Sequence, residues 1–228
     1  MNIELINRPS STIAKVNLAS QEKCVAEGGS MVAMDGDFTI NTTTHQKGKG
    51  GLMRGLKRLL GGESFFLNHY ESGSDTDSLY LSQPLPGDME VVELTEGNQI
   101  VVSGGSFVAC GEDVDMDMSW QGMKSLFSGE SLFWLKMSGQ GKIILSSYGT
   151  FYSVQVSDGY VVDSGHIVAY EDTLNFEISK AGGSWVQSFL GGEGFVCRFS
   201  GKGRIWCQSH NARAFGKLLG PMLTPRKQ

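Results

Sequence analysis

Basic residues are scarce in this chain. Its 228 residues carry 19 Lys and Arg against 24 Asp and Glu, a net charge of −5. Nucleic-acid domains usually show a basic excess, so the balance argues against a DNA- or RNA-binding specialist. Histidine is also scarce: His45, His69, His166 and His210 are the full set, with no His-x-His pair. Zinc and iron sites need several convergent ligands, so neither a metal nor a cofactor is expected. The four cysteines, Cys24, Cys110, Cys197 and Cys207, have no C-x-x-C spacing, which excludes a zinc ribbon or redox motif. Cys197 and Cys207 have the spacing to face each other on neighbouring strands. Nothing points to secretion, so no disulfide is expected there. No G-x-S-x-G elbow or local Cys–His signature marks a nucleophile, and the chain is not expected to be an enzyme. Long apolar runs are missing, with none near the ~20 residues of a membrane span. Met1–Ser20 shows no signal-peptide pattern, so the expected location is cytoplasmic.

Glycine is abundant, with 31 residues against only five prolines. That combination suits tight turns rather than a disordered Pro/Gly composition. The glycines recur in order. Leu18–Ala33 aligns without a gap on Leu94–Ala109, sharing Leu18/Leu94, Val25/Val101, Gly28/Gly104, Gly29/Gly105, Ser30/Ser106, Val32/Val108 and Ala33/Ala109. Gly159–Ala169 gives a third copy once two residues are removed before the glycine. A second anchor reads Gly62-Glu63-Ser64-Phe65-Phe66, Gly129-Glu130-Ser131-Leu132-Phe133 and Gly192-Glu193-Gly194-Phe195-Val196. A third closes each copy: Leu79-Tyr80-Leu81, Ile143-Ile144-Leu145 and Ile205-Trp206-Cys207. Short β-branched and aromatic runs between turn signals read as strands throughout, as in Val91–Leu94 and Val154–Val156. The expected fold is therefore all-β, one domain of three tandem repeats at about 14–87, 88–149 and 150–215, with a tail at 216–228. Packed around a pseudo-threefold axis, the three units would share one core.

One segment in each copy departs from the β pattern. Leu52, Met53, Leu56, Leu59 and Leu60 fall at a helical period, opposite a basic cluster of Lys47, Lys49, Arg54, Lys57 and Arg58. The equivalent places carry Trp120, Met123, Leu126 and Phe127, then Trp185, Val186, Phe189 and Leu190. Three apolar loops on one face would form a patch suited to self-association. The basic segment 47–60 would also suit an anionic membrane surface or a partner's groove. The repeat-equivalent acids Glu63, Glu130 and Glu193 read first as turn-fixing carboxylates, and second as an acidic ring for a cation or a basic partner. Gly139-x-Gly141 and Gly201-x-Gly203 lie between strands, so hairpin turns are expected rather than a phosphate loop.

The Gly28–Ala33 segment, the Gly55–Phe66 stretch and the Pro84-Leu85-Pro86-Gly87 turn together resemble a bacterial family. It is the one related to the altered inheritance of mitochondria protein 24, and the match runs from about Leu18 to about Phe215. The resemblance implies a shortened double-stranded β-helix, like that of the tryptophan RNA-binding attenuation protein, present three times per chain. It carries no catalytic residues to map. The expected function is a non-enzymatic interaction or scaffold protein that forms homo-oligomers or captures a protein partner, with no DNA partner. The alternatives are a small-ligand or RNA-binding module between repeats, or peripheral membrane association through residues 47–60.

Overall fold

The computed structural model describes residues 1–43, 65–117, 133–180 and 195–224, and within them the turn-punctuated runs form strands. The first strands are β1 (Asn2–Ile6), β2 (Ile13–Leu18), β3 (Lys23–Glu27), β4 (Met31–Asp35), β5 (Phe38–Thr43), β6 (Leu67–Ser72) and β7 (Asp77–Leu81). Next come β8 (Met89–Leu94), β9 (Ile100–Ser103), β10 (Phe107–Gly111), β11 (Val114–Asp117), β12 (Trp134–Gly139) and β13 (Gly141–Ser146). The last are β14 (Phe151–Val156), β15 (Tyr160–Asp163), β16 (Ile167–Glu171), β17 (Asn175–Lys180), β18 (Phe195–Ser200) and β19 (Gly203–Gln208). One α-helix, α1 (Ala212–Leu219), follows them. The fold is all-β, with antiparallel pairing between all these strands.

Four sheets result. Their strand orders are β1-β2-β7-β4, β5-β6-β3-β10-β13-β8, β11-β12-β9-β16-β19-β14 and β15-β18-β17. Three cores lie between successive sheets. Val16, Leu79, Tyr70 and Ile144 belong to the first, Phe107, Leu135, Ile143 and Trp206 to the second, and Tyr170, Phe199 and Ile205 to the third. The layering accounts for two kinds of strand pattern. In β2 the buried Ala14, Val16 and Leu18 alternate with part-exposed neighbours, as expected of an outer sheet. In β9 every residue is buried, because Val102 enters the second core and Val101 the third.

The sheets are linked by corners. Gly139 and Gly141 join β12 of the third sheet to β13 of the second, at φ of 99° and 144°. A Cβ on Gly139 would stand 2.3 Å from the Asp113 carbonyl oxygen, so glycine is required there. The expected hairpins are therefore corrected. The glycines do make tight turns, but the flanking strands leave for different sheets instead of pairing with each other. The corner between β6 and β7 uses a carboxylate instead. Asp77 accepts hydrogen bonds from the Ser72 hydroxyl and from the Gly73 and Ser74 amides at 2.9, 3.0 and 3.1 Å, and also from the Ser74 hydroxyl. These donors, the Ser74 hydroxyl foremost, hold its pKa down at about 2.

Closure around a threefold axis would place β15 beside β4. Those strands lie in the fourth and first sheets, and each pairs on one side only, with β18 and β7. Among the described residues the pairing thus runs in open series, with β4 and β15 each at the edge of its sheet. At the other terminus the tail boundary expected after residue 215 falls inside α1. Asn211 caps this helix by accepting from the Arg213 and Ala214 amides, and Phe215 packs edge-on against Tyr148.

Candidate functional site

The residues singled out for contact lie outside the described residues. This holds for Leu52, Met53, Leu56, Leu59, Trp120, Met123, Phe127, Trp185 and Phe189. It holds equally for Glu63, Glu130 and Glu193, and for Lys47, Lys49, Arg54, Lys57 and Arg58. Each histidine inside the described part has a polar neighbour at its ring nitrogen. His69 Nε2 lies 2.8 Å from Thr43 Oγ1, His166 Nδ1 lies 2.9 Å from the Gln208 carbonyl, and His210 Nδ1 lies 2.7 Å from Ser209 Oγ. No three His, Cys, Asp or Glu side chains converge for a metal among the described residues. All four cysteines are buried free thiols. Cys197 and Cys207 stand on β18 and β19, which belong to different sheets, so the neighbouring-strand placement is corrected; they share the third core without bonding. Burial raises their thiol pKa values to about 12 and about 11. Such thiols are poor nucleophiles.

The surface feature that stands out is β4. Val32, Val108 and Val168 occupy the same place on β4, β10 and β16, yet they are 56%, 1% and 0% exposed. Strand β10 is covered because it pairs with β3, and β16 because it pairs with β9. Among the described residues strand β4 has no such neighbour, and none of its residues enters a core. Met31 and Met34 are exposed on it as well. The opposite deficit occurs on β15. Val161 is 46% exposed, whereas Val101 at the matching place on β9 is fully buried. Neither strand carries Lys, Arg or Pro, the usual guards of a free edge. The flanking edge strands are more polar: β5 reads Phe-Thr-Ile-Asn-Thr-Thr, and β11 Val-Asp-Met-Asp. Composition did not flag β4, because its residues resemble those of its buried counterparts. What sets it apart is its pairing, with β7 alone among the described residues.

A second feature is a cleft of about 570 Å³ between the β8–β9 connection and the β16–β17 turn. Glu90, Glu93, Glu171 and Asp172 line it, with Arg204 as the one basic side chain among its lining residues. Trp206 Nε1 donates to Glu90 Oε1 at 3.2 Å, and the Arg204 guanidinium stands 5.8 Å from the Trp206 ring centroid. Glu171 accepts from the Arg204 amide at 2.9 Å, and Asp172 pairs with Lys136 at 2.8 Å. The surplus negative charge favours a cationic occupant.

The family model for Mitochondrial biogenesis AIM24 matches residues 3–210. The chain belongs to this family. A relative, an uncharacterised protein of Streptococcus pyogenes serotype M6, is 30% identical over 213 residues, covering 91% of this chain and 85% of its own. A crystal structure of another Streptococcus pyogenes protein superposes with a TM-score of 0.78 at 26% identity, over 97% of this chain and 99% of that one. No helix among the described residues of this AIM24-family chain is long and apolar enough to cross a membrane.

Proposed function

We propose that this AIM24-family chain is a non-catalytic, self-associating scaffold made of three copies of a short double-stranded β-helix. The recurrence of one pairing scheme supports the repeat reading. Register shifts fall between Met31 and Ala33, Phe107 and Ala109, and Ile167 and Ala169, at matching places on β4, β10 and β16. The observation that carries the self-association reading is the exposure of apolar side chains on the unpaired edge β4. A largely apolar strand edge without Lys, Arg or Pro favours pairing with another chain in water. Multi-angle light scattering across micromolar concentrations tests it. The reading expects a multiple of the 24.7 kDa chain mass; a single-chain mass throughout would refute it.

The cleft at Glu90 and Trp206 favours a second reading, a small cationic ligand held between units. Polyamine titration followed by Trp206 fluorescence would show a saturable change under that reading. A flat response in wild type would exclude it.

A further inference from the structure

The two unpaired edges are the two halves of a junction that the chain already makes twice. At the first junction β10 meets β3 antiparallel, with Ala109 opposite Ala26, Cys110 opposite Val25 and Gly111 opposite Cys24. At the second β16 meets β9, with Ala169 opposite Val102, Tyr170 opposite Val101 and Glu171 opposite Ile100. The register is the same in both. Strand β4 is the counterpart of β10 and β16, and among the described residues it lacks a β3-type neighbour. Strand β15 is the counterpart of β3 and β9, and among the described residues it lacks a β10-type neighbour.

We propose that β4 of one copy pairs antiparallel with β15 of a second copy, with Ala33 opposite Val162, Met34 opposite Val161 and Asp35 opposite Tyr160. This rests on the self-association reading above and gives it a surface, a polarity and a register. The pairing would cover Val161 and Met34 together, as Val25 and Cys110 are covered together in the second core and Val101 and Tyr170 in the third. It would also satisfy the free amide and carbonyl groups of both edges. The contact is head-to-tail, so each copy keeps one edge of each kind and assembly continues until a ring closes or a filament grows.

The test uses Met34→Cys and Val161→Cys, placed at exposed positions in a chain whose own thiols are buried. Each variant is treated with a short thiol-to-thiol cross-linker, alone and mixed with the other. The proposal expects a doubled-mass band only in the mixture, and a ladder of multiples from the double variant. Doubling by Met34→Cys alone would mean that β4 meets β4, and would overturn it. A single-chain cross-link in the double variant would mean closure within one chain, and would also overturn it. Absence of any cross-link while wild type keeps a multiple mass would overturn this register and leave the self-association reading standing. A single-chain mass for wild type would remove both. As a second variant, Val161→Lys places a charge at the joint and should reduce the assembly to single-chain mass with an unchanged circular dichroism spectrum. A retained multiple mass would count against the proposal.

Discussion

Truncating the three equivalent valines to alanine should cost very different amounts. Val32, Val108 and Val168 share strand place and sequence context, and they differ in whether their strand has a second neighbour among the described residues. Valine to alanine removes two carbons. At about 0.8 kcal/mol per buried CH₂ the transfer loss is about 1.6 kcal/mol, and the cavity left in a close-packed core raises it to about 2–3 kcal/mol. Val108 and Val168 should each cost that much, since they are buried in the first and second cores. Val32 has little buried area to lose, so Val32→Ala should cost less than about 0.7 kcal/mol in the dispersed chain. The assay is urea unfolding at sub-micromolar concentration. With m of about 2.5 kcal/mol/M, the midpoint should fall by about 1 M for Val108→Ala and Val168→Ala, and by less than about 0.3 M for Val32→Ala. Equal shifts for all three would refute the reasoning, because they would mean that β4 is already covered within one chain.

Burial holds the Glu27 carboxyl up at about 7, above its ordinary 4.5, so the folded state binds the proton more tightly than the unfolded state. Stability should therefore fall as pH rises from about 4.5 to about 7. Glu27→Gln should match wild type near pH 4 and exceed it by about 2–3 kcal/mol at pH 8, measured by urea unfolding at both. Asp88 is opposed by its own burial, but the paired Arg8 hydrogen bonds at 2.9 and 2.8 Å and the Thr12 hydroxyl at 2.8 Å outweigh it and lower its pKa. Its contribution is present above the ordinary 3.8 and lost as pH falls through the lowered value. Asp88→Ala should cost about 2–3 kcal/mol at neutral pH, read from the thermal midpoint, with the difference vanishing in acid. The buried Tyr170 hydroxyl has no hydrogen-bond partner among the described residues. Tyr170→Phe should leave stability unchanged or raise it by up to about 1 kcal/mol in the same melt.

Strand identity was legible wherever short apolar runs met turn residues. Leu79–Leu81, Ile143–Leu145 and Ile205–Cys207 lie on β7, β13 and β19 as their composition implies. What local sequence did not reveal was which sheet each strand joins. Gly139 and Gly141 announce a tight turn, but a corner between sheets and a hairpin need the same backbone freedom there. Strand β1 escaped notice because Ile3 and Leu5 form too short an alternation to stand out. Helix α1 was missed, because its eight residues make too short a periodic run to stand out at the end of a β-rich chain. The candidate contact loops lie outside the described residues, so the structure neither supports nor weakens them. The β4 edge was missed for a topological reason. Exposure of Val32 depends on a missing neighbour strand, and no property of residues 31–35 records that.

Amide hydrogen exchange on residues 31–35 and 160–163, followed against protein concentration, tests the open ends most directly. The account predicts fast exchange of the edge amides in dilute solution and joint protection of both strands as concentration rises. Protection of both strands at the lowest concentration, or of neither at the highest, would contradict it.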